Sequence, residues 1–146
     1  MSDAIRKIVV PIDFSGASVR AANYAATIAR ALGAHLFLVN VLEGIRPGLY
    51  ETDERYDDAR KRLEVVARSL NGPGVTTEVR TGRIHERLAD AVTDYGADLI
   101  VMSTHGRTGL SHLLMGSVAE ALIRVSPCPV LVLRDCGQAH VHRPAA

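Results

Sequence analysis

Cysteine is scarce in this chain. There are two in 146 residues, Cys128 and Cys136, with neither a CxxC spacing nor metal-ligand company. That excludes a disulfide framework and a cysteine-rich metal module, and a reduced, cytoplasmic setting is the expectation. Positive charge is not in surplus either. The formal net charge is +1, whereas nucleic-acid binders usually carry a basic excess, so no nucleic-acid partner is expected. No apolar run approaches the roughly 20 residues that span a bilayer, so no membrane partner is expected. The opening "MSDAIRKIVVP" holds too short an apolar stretch for a secretory signal. Two familiar phosphate motifs are also missing. There is no GxxxxGK[ST], and the first strand runs into "DFSGAS" rather than GxGxxG. A P-loop NTPase and a dinucleotide-binding enzyme are both disfavoured.

The remaining composition, 47% hydrophobic and 23% charged, is that of one ordinary globular domain. Short apolar runs alternate with helical spacing. Strands are predicted at Lys7 to Ile12, His35 to Leu42, Val75 to Thr81, Asp98 to Ser103 and Pro129 to Arg134. Between them, apolar residues recur at helical intervals. One helix is expected from about Ser18 to Gly33, and a second on Tyr56, Ala59, Leu63, Val66, Ala67 and Leu70. Ile84, Leu88, Ala91, Val92 and Tyr95 mark a third, and Val118, Ala119, Leu122 and Ile123 a fourth. Five-fold alternation of strand and helix predicts an α/β fold, a mostly parallel sheet covered on both faces. The runs "IVV", "LFLV", "LIVM" and "VLVL" lack polar alternation, as strands buried on both sides should. "VTTEVRT" alternates and suits the rim.

In such sheets ligands bind beyond the C-terminal strand ends, where strand order reverses. Asp13 follows the first strand. The fourth empties into "STHGRTGLSHLLMGSVAE", Ser103 to Glu120, a loop rich in Gly, Ser and Thr that leads into a helix. Ser117 with Glu120 fits the capping box S-x-x-E, so Ser117 is predicted to cap that helix, worth about 1 kcal/mol. Helix N-termini present free N–H groups and favour anions. Gly116 allows close backbone approach, and Gly106 and Gly109 permit positive φ. The residues alone leave two readings open, a phosphate site and an ordinary capped loop.

From "KIVVPIDFS" through "ADLIVMSTHGRTGLSHLLMGSVAEALIRVSPCPVLVLR" the chain resembles the universal stress protein family. Its nucleotide-binding members carry G-x-x-G, nine residues, then G-[S/T]. Gly106, the stretch Arg107 to Met115, Gly116 and Ser117 fit that pattern, and Ser103 stands at the first glycine position, a departure. The resemblance implies a single-domain, doubly wound sheet of strand order 3-2-1-4-5, like the adenine-nucleotide alpha hydrolases, over residues 1–134, with a flexible tail at 135–146. It implies an ATP site in which Pro11, Ile12 and Asp13 meet the ribose or adenine end and Val41 lines the adenine pocket with backbone groups. Met102, Ser103, His105, Gly106 and Arg107 would wrap ribose and phosphates, and Gly116, Ser117 and Val118 would hold phosphates by N–H groups. Mg²⁺ would ride on the phosphates rather than on protein ligands. A homodimer through the last strand, Val130, Leu131, Val132 and Leu133, is implied as well.

No catalytic set stands out, since Asp13 is the only carboxylate and Arg107 the only cation placed near the site. The expected role is therefore an ATP-binding regulatory module in stress tolerance and not an enzyme. A slow ATPase or nucleotide-transferring enzyme, a family member acting only as an interaction dimer, and a cyclic-nucleotide binder remain open alternatives. Plainer readings apply elsewhere. His140 and His142 lie on the tail, Cys128 reads as a small filler between prolines, and the mixed charges from Asp53 to Arg68 read as a solvated helix face.

Overall fold

The computed structural model describes residues 4–45, 48, 52–71, 74–104 and 115–134. Strand and helix alternate as the apolar spacing predicts: β1 (Lys7–Pro11), α1 (Gly16–Leu32), β2 (His35–Leu42), α2 (Glu54–Ser69), β3 (Val75–Thr81), α3 (Ile84–Tyr95), β4 (Leu99–Ser103), α4 (Ser117–Val125) and β5 (Val130–Leu133). The strands form one parallel sheet in the expected order, β3-β2-β1-β4-β5. The chain winds outward from β1 to β3 and then crosses back to β4. Strand order therefore reverses between β1 and β4.

Alternate residues of each strand serve opposite faces. Ile8, Val10, Leu36, Leu38 and Val101 share a core with Ala22, Ala25, Ala26 and Ala29 of α1 and with Ala59 and Leu63 of α2. Val9, Val39, Ile100 and Met102 meet Leu88, Ala91 and Val92 of α3 and Ala119 and Leu122 of α4. Both faces are dry, which is why these strands read as unbroken apolar runs. The tail at 135–146 lies outside the described residues.

The face of α1 turned to the sheet is alanine at every buried position but Ser18: Ala17, Ala21, Ala22, Ala25, Ala26 and Ala29. Alanine is the strongest helix former and brings the helix axis close to the strands. The helix begins at Gly16, two residues before the apolar spacing suggests, because Ser15 takes the cap and its Oγ accepts the Ser18 N–H at 3.1 Å. Gly33 ends it at φ 68, a left-handed conformation that favours glycine. The charges of α2 are solvated as expected. Arg60 bridges Asp57 at 2.9 Å and Glu64 at 3.0 Å, exposed pairs that water and salt screen.

The two ends of the strands differ. At the starting end, Asp98 Oδ2 accepts the N–H groups of Arg6 (2.9 Å) and Lys7 (3.0 Å), and the Asp98 N–H donates to Lys7 O at 2.8 Å. Lys7 Nζ adds a bond to Tyr95 O at 3.0 Å. This clamp ties β1 to the entry of β4. The finishing end has no such clamp between β1 and β4 among the described residues, and it is there that the crevice opens.

Candidate functional site

The reversal between β1 and β4 holds a cavity of about 290 Å³, close to the lower limit of ordinary ligand sites. Three segments build it. The first is the exit of β1. Asp13 Oδ1 accepts the Ser15 N–H at 2.9 Å, and the Asp13 N–H donates to Ser18 Oγ at 3.3 Å. Asp13 is thus held by the cap of α1 without being that cap, and its Oδ2 has no partner among the described residues. Phe14 turns the chain at φ 67, costly for a bulky side chain, about 1–3 kcal/mol. The ring is kept there by the sheet-side core and by the Arg62 guanidinium 4.2 Å above it.

The second segment is the end of β2. Its odd-numbered residues bond toward β1 and its even ones toward β3. His35 N–H donates to Arg6 O at 2.8 Å and Ile12 N–H to Val39 O at 2.8 Å, while Leu36 N–H reaches Gly74 O and Gly82 N–H reaches Leu42 O. Val41 therefore turns its N–H and C=O to the β1 side, two residues past the last β1–β2 pair, Pro11 with Val39. No donor or acceptor among the described residues meets them there. Asn40, beside it, donates from Nδ2 to Ile12 O at 2.8 Å.

The third segment runs from β4 to α4. Thr104 N–H donates to Leu133 O (2.9 Å), and Thr104 O accepts the Gly116 N–H (2.7 Å), so the two ends of the glycine-rich loop meet at the cavity. The structure moves the helix cap from Ser117 to Gly116. Glu120 N–H donates to Gly116 O at 3.0 Å, and the residue whose carbonyl accepts the first helical bond is the cap. Ser117 is the first helical residue, Glu120 the fourth, and the capping box fails by one position. Helix α4 has no side-chain cap bond among the described residues. Its first-turn residues Ser117, Val118 and Ala119 line the cavity. Gly116 sits at φ −65, ψ 155, extended backbone open to any residue, so a positive φ is not what calls for glycine here.

Pro11, Ile12, Asp13, Val41, Met102, Ser103, Gly116, Ser117 and Val118 all line this one cavity. His105, Gly106 and Arg107 lie outside the described residues. Among the described residues Asp13 is the only ionisable side chain on the wall, and no group of three His, Cys, Asp or Glu could hold a metal ion. Sequence reasoning missed Ser18, Asn40, Thr104 and the apolar wall of Ile84 and Leu88. The last two belong to a helical stripe indistinguishable from core. Asn40 did carry a signal, a lone amide within "HLFLVNVL".

The family model described as the universal stress protein family matches residues 4–134. Universal stress protein MJ0531 of Methanocaldococcus jannaschii is 34% identical over 141 residues, covering 88% of this chain and 82% of the relative. The solved structure of MJ0577, a universal stress protein of the same organism, is 27% identical with a TM-score of 0.75 and covers 89% of this chain and 96% of its own. A universal stress protein solved in complex with cAMP shares the fold at 24% identity, with a TM-score of 0.71 and coverage of 89% and 97%. By sequence along nearly its whole length and by fold, the chain belongs to the universal stress protein family.

Proposed function

We propose that this protein is an adenine-nucleotide-binding regulatory module whose ligand is ATP, with Mg²⁺ carried by the phosphates. The observation that carries the reading is the unpaired Val41 backbone. An N–H donor and a C=O acceptor on one residue match an adenine edge, which offers a ring nitrogen acceptor beside an amino donor. Asp13 lies at the ribose side, and the uncapped first turn of α4 lies where phosphates would follow, its N–H groups and dipole favouring anions. Ser103, at the family's first glycine position, lines the same cavity. The loop residues His105, Gly106 and Arg107 complete the phosphate end in this reading. The cation needs no protein ligand, since Mg²⁺ commonly stays on phosphate oxygens and water.

The functional unit in this reading is residues 1–134, with 135–146 as a tail, and it works as a homodimer. All four residues of β5 are half-buried although wholly apolar, and the strand sits at the end of the sheet order. An uncovered apolar edge invites pairing with a second copy, and a two-fold axis closes such a pair.

The deciding experiment identifies by mass spectrometry the small molecule that co-purifies with the native protein, then measures melting with ATP–Mg²⁺, AMP and cAMP. At about 100 times its dissociation constant a ligand adds roughly 2.7 kcal/mol, a rise of about 10 °C for a chain of this size. A rise with cAMP alone would replace ATP by a cyclic nucleotide. No rise with any adenine nucleotide at millimolar concentration would leave an interaction dimer without a nucleotide.

A further inference from the structure

Asn40 is the buried polar residue of β2, 5% exposed. Its Nδ2 donates to Ile12 O at 2.8 Å, and that contact decides which way the carboxamide faces, because a carbonyl only accepts. Its Oδ1 is then buried with no hydrogen-bond partner among the described residues. A half-satisfied buried amide carries a desolvation cost. As a mere tie for the β1 exit it is redundant, since Ile12 N–H already holds Val39 O at 2.8 Å.

The amide bears on the next rung of the β1–β2 ladder. In β2, His35 N–H lands on Arg6 O. The same offset carried up the strand would place Val41 N–H on Ile12 O. That carbonyl is the one Asn40 occupies. The side chain thus takes the acceptor that the next rung of the sheet would use, and no Val41 N–H to Ile12 O bond forms.

We propose that Asn40 is a positioning residue. By holding Ile12 O it stops the β1–β2 ladder one rung short and keeps the Val41 N–H and C=O available to a ligand. This rests on the reading that Val41 meets the ligand's base. The ladder itself can be tested without any ligand.

The test is site-resolved amide exchange by NMR, on the full chain free of nucleotide, with Asn40→Val as the variant. In the parent the Val41 amide should exchange at least ~100-fold faster than that of Val39, which lies inside the paired ladder. In Asn40→Val, Ile12 O is released and a β-branched side chain suits the strand. Val41 should then become protected to within about 10-fold of Val39. ATP affinity should fall by about 10-fold, the loss of one ligand hydrogen bond, with no fall in melting temperature. A Val41 amide as protected as Val39 in the parent overturns the proposal, and so does Val41 exchange unchanged in the variant. If Asn40→Val fails to fold, the parent comparison still decides. If exchange behaves as expected but the parent binds no adenine nucleotide, the ladder stop stands and the nucleotide reading fails.

Discussion

Gly116→Val separates the ligand site from the fold. The residue caps α4 at φ −65, ψ 155, a region valine enters without strain. The two bonds that fix it, N–H to Thr104 O at 2.7 Å and O from Glu120 N–H at 3.0 Å, are made by backbone and survive the change. Valine is a poorer cap than glycine, so the fold should lose about 1 kcal/mol, or about 4 °C in melting temperature for a chain this long. Binding should suffer far more. The new isopropyl group stands on the cavity wall beside Ser117 and Val118. A phosphate kept away from their N–H groups forfeits two charge-assisted hydrogen bonds of about 1.5–3 kcal/mol each. The combined loss corresponds to a roughly 10²- to 10⁴-fold weaker complex. Titration calorimetry with ATP–Mg²⁺ measures the affinity, and scanning calorimetry on the ligand-free proteins measures the fold. Affinity within about threefold of the parent would refute the phosphate assignment at α4. A melting temperature lower by well over 10 °C would refute the claim that only backbone holds this turn.

Asp13→Ala should weaken ATP binding in calorimetry yet leave measurable affinity, because the phosphate contacts come from α4, and unchanged affinity would remove Asp13 from the site. Val132→Lys puts a charge on the apolar outermost strand, and a two-fold pairing brings in two of them. At about 5 Å and an effective dielectric of 20 their repulsion is about 3 kcal/mol, so sedimentation at micromolar concentration should show a dimer for the parent and a dimer at least ~100-fold weaker for the variant; a monomeric parent sinks the edge-pairing idea. Tyr95 gives a pH signature. Burial, and then its hydrogen bond to Glu78 Oε1 at 2.6 Å, push its phenol up to about 12. Folding favours the neutral phenol, so this contribution is complete below about pH 10 and is lost as pH rises toward about 12. An ultraviolet phenolate titration should show one late-ionising tyrosine that disappears in Tyr95→Phe.

The strands were legible because burial on both faces leaves no room for polar residues, so "IVV", "LFLV" and "LIVM" stand out against everything around them. The strand order came through the family resemblance, since periodicity carries no information on which strands are neighbours. Caps were harder. "DFSGAS" offers Asp13, Ser15 and Ser18 within six residues, and only three-dimensional reach shows that Ser15 caps, while Asp13 and Ser18 brace it. At α4 the serine and the glutamate were both present but one position out of phase, because the chain enters the helix at Gly116. Phe14 in a left-handed conformation had no signal, as an aromatic residue is among the least expected there. Asn40 had one in plain view, an amide in an apolar strand, whose meaning depends on a carbonyl 28 residues earlier.

The alanine face of α1 makes that helix a lever. With methyl groups as the only helix-side spacers at Ala21, Ala22, Ala25, Ala26 and Ala29, α1 has no longer side chain of its own on this face to give way, and an added side chain there presses the helix away from the sheet. Its far end, about 16 Å from Ala29 at 1.5 Å per residue, carries Ser18, which grips Asp13. The first turn of α1 holds both parts of Asp13, the backbone N–H through Ser18 Oγ and the carboxylate through the Ser15 N–H, so the seating of this helix on the sheet sets where Asp13 meets the cavity.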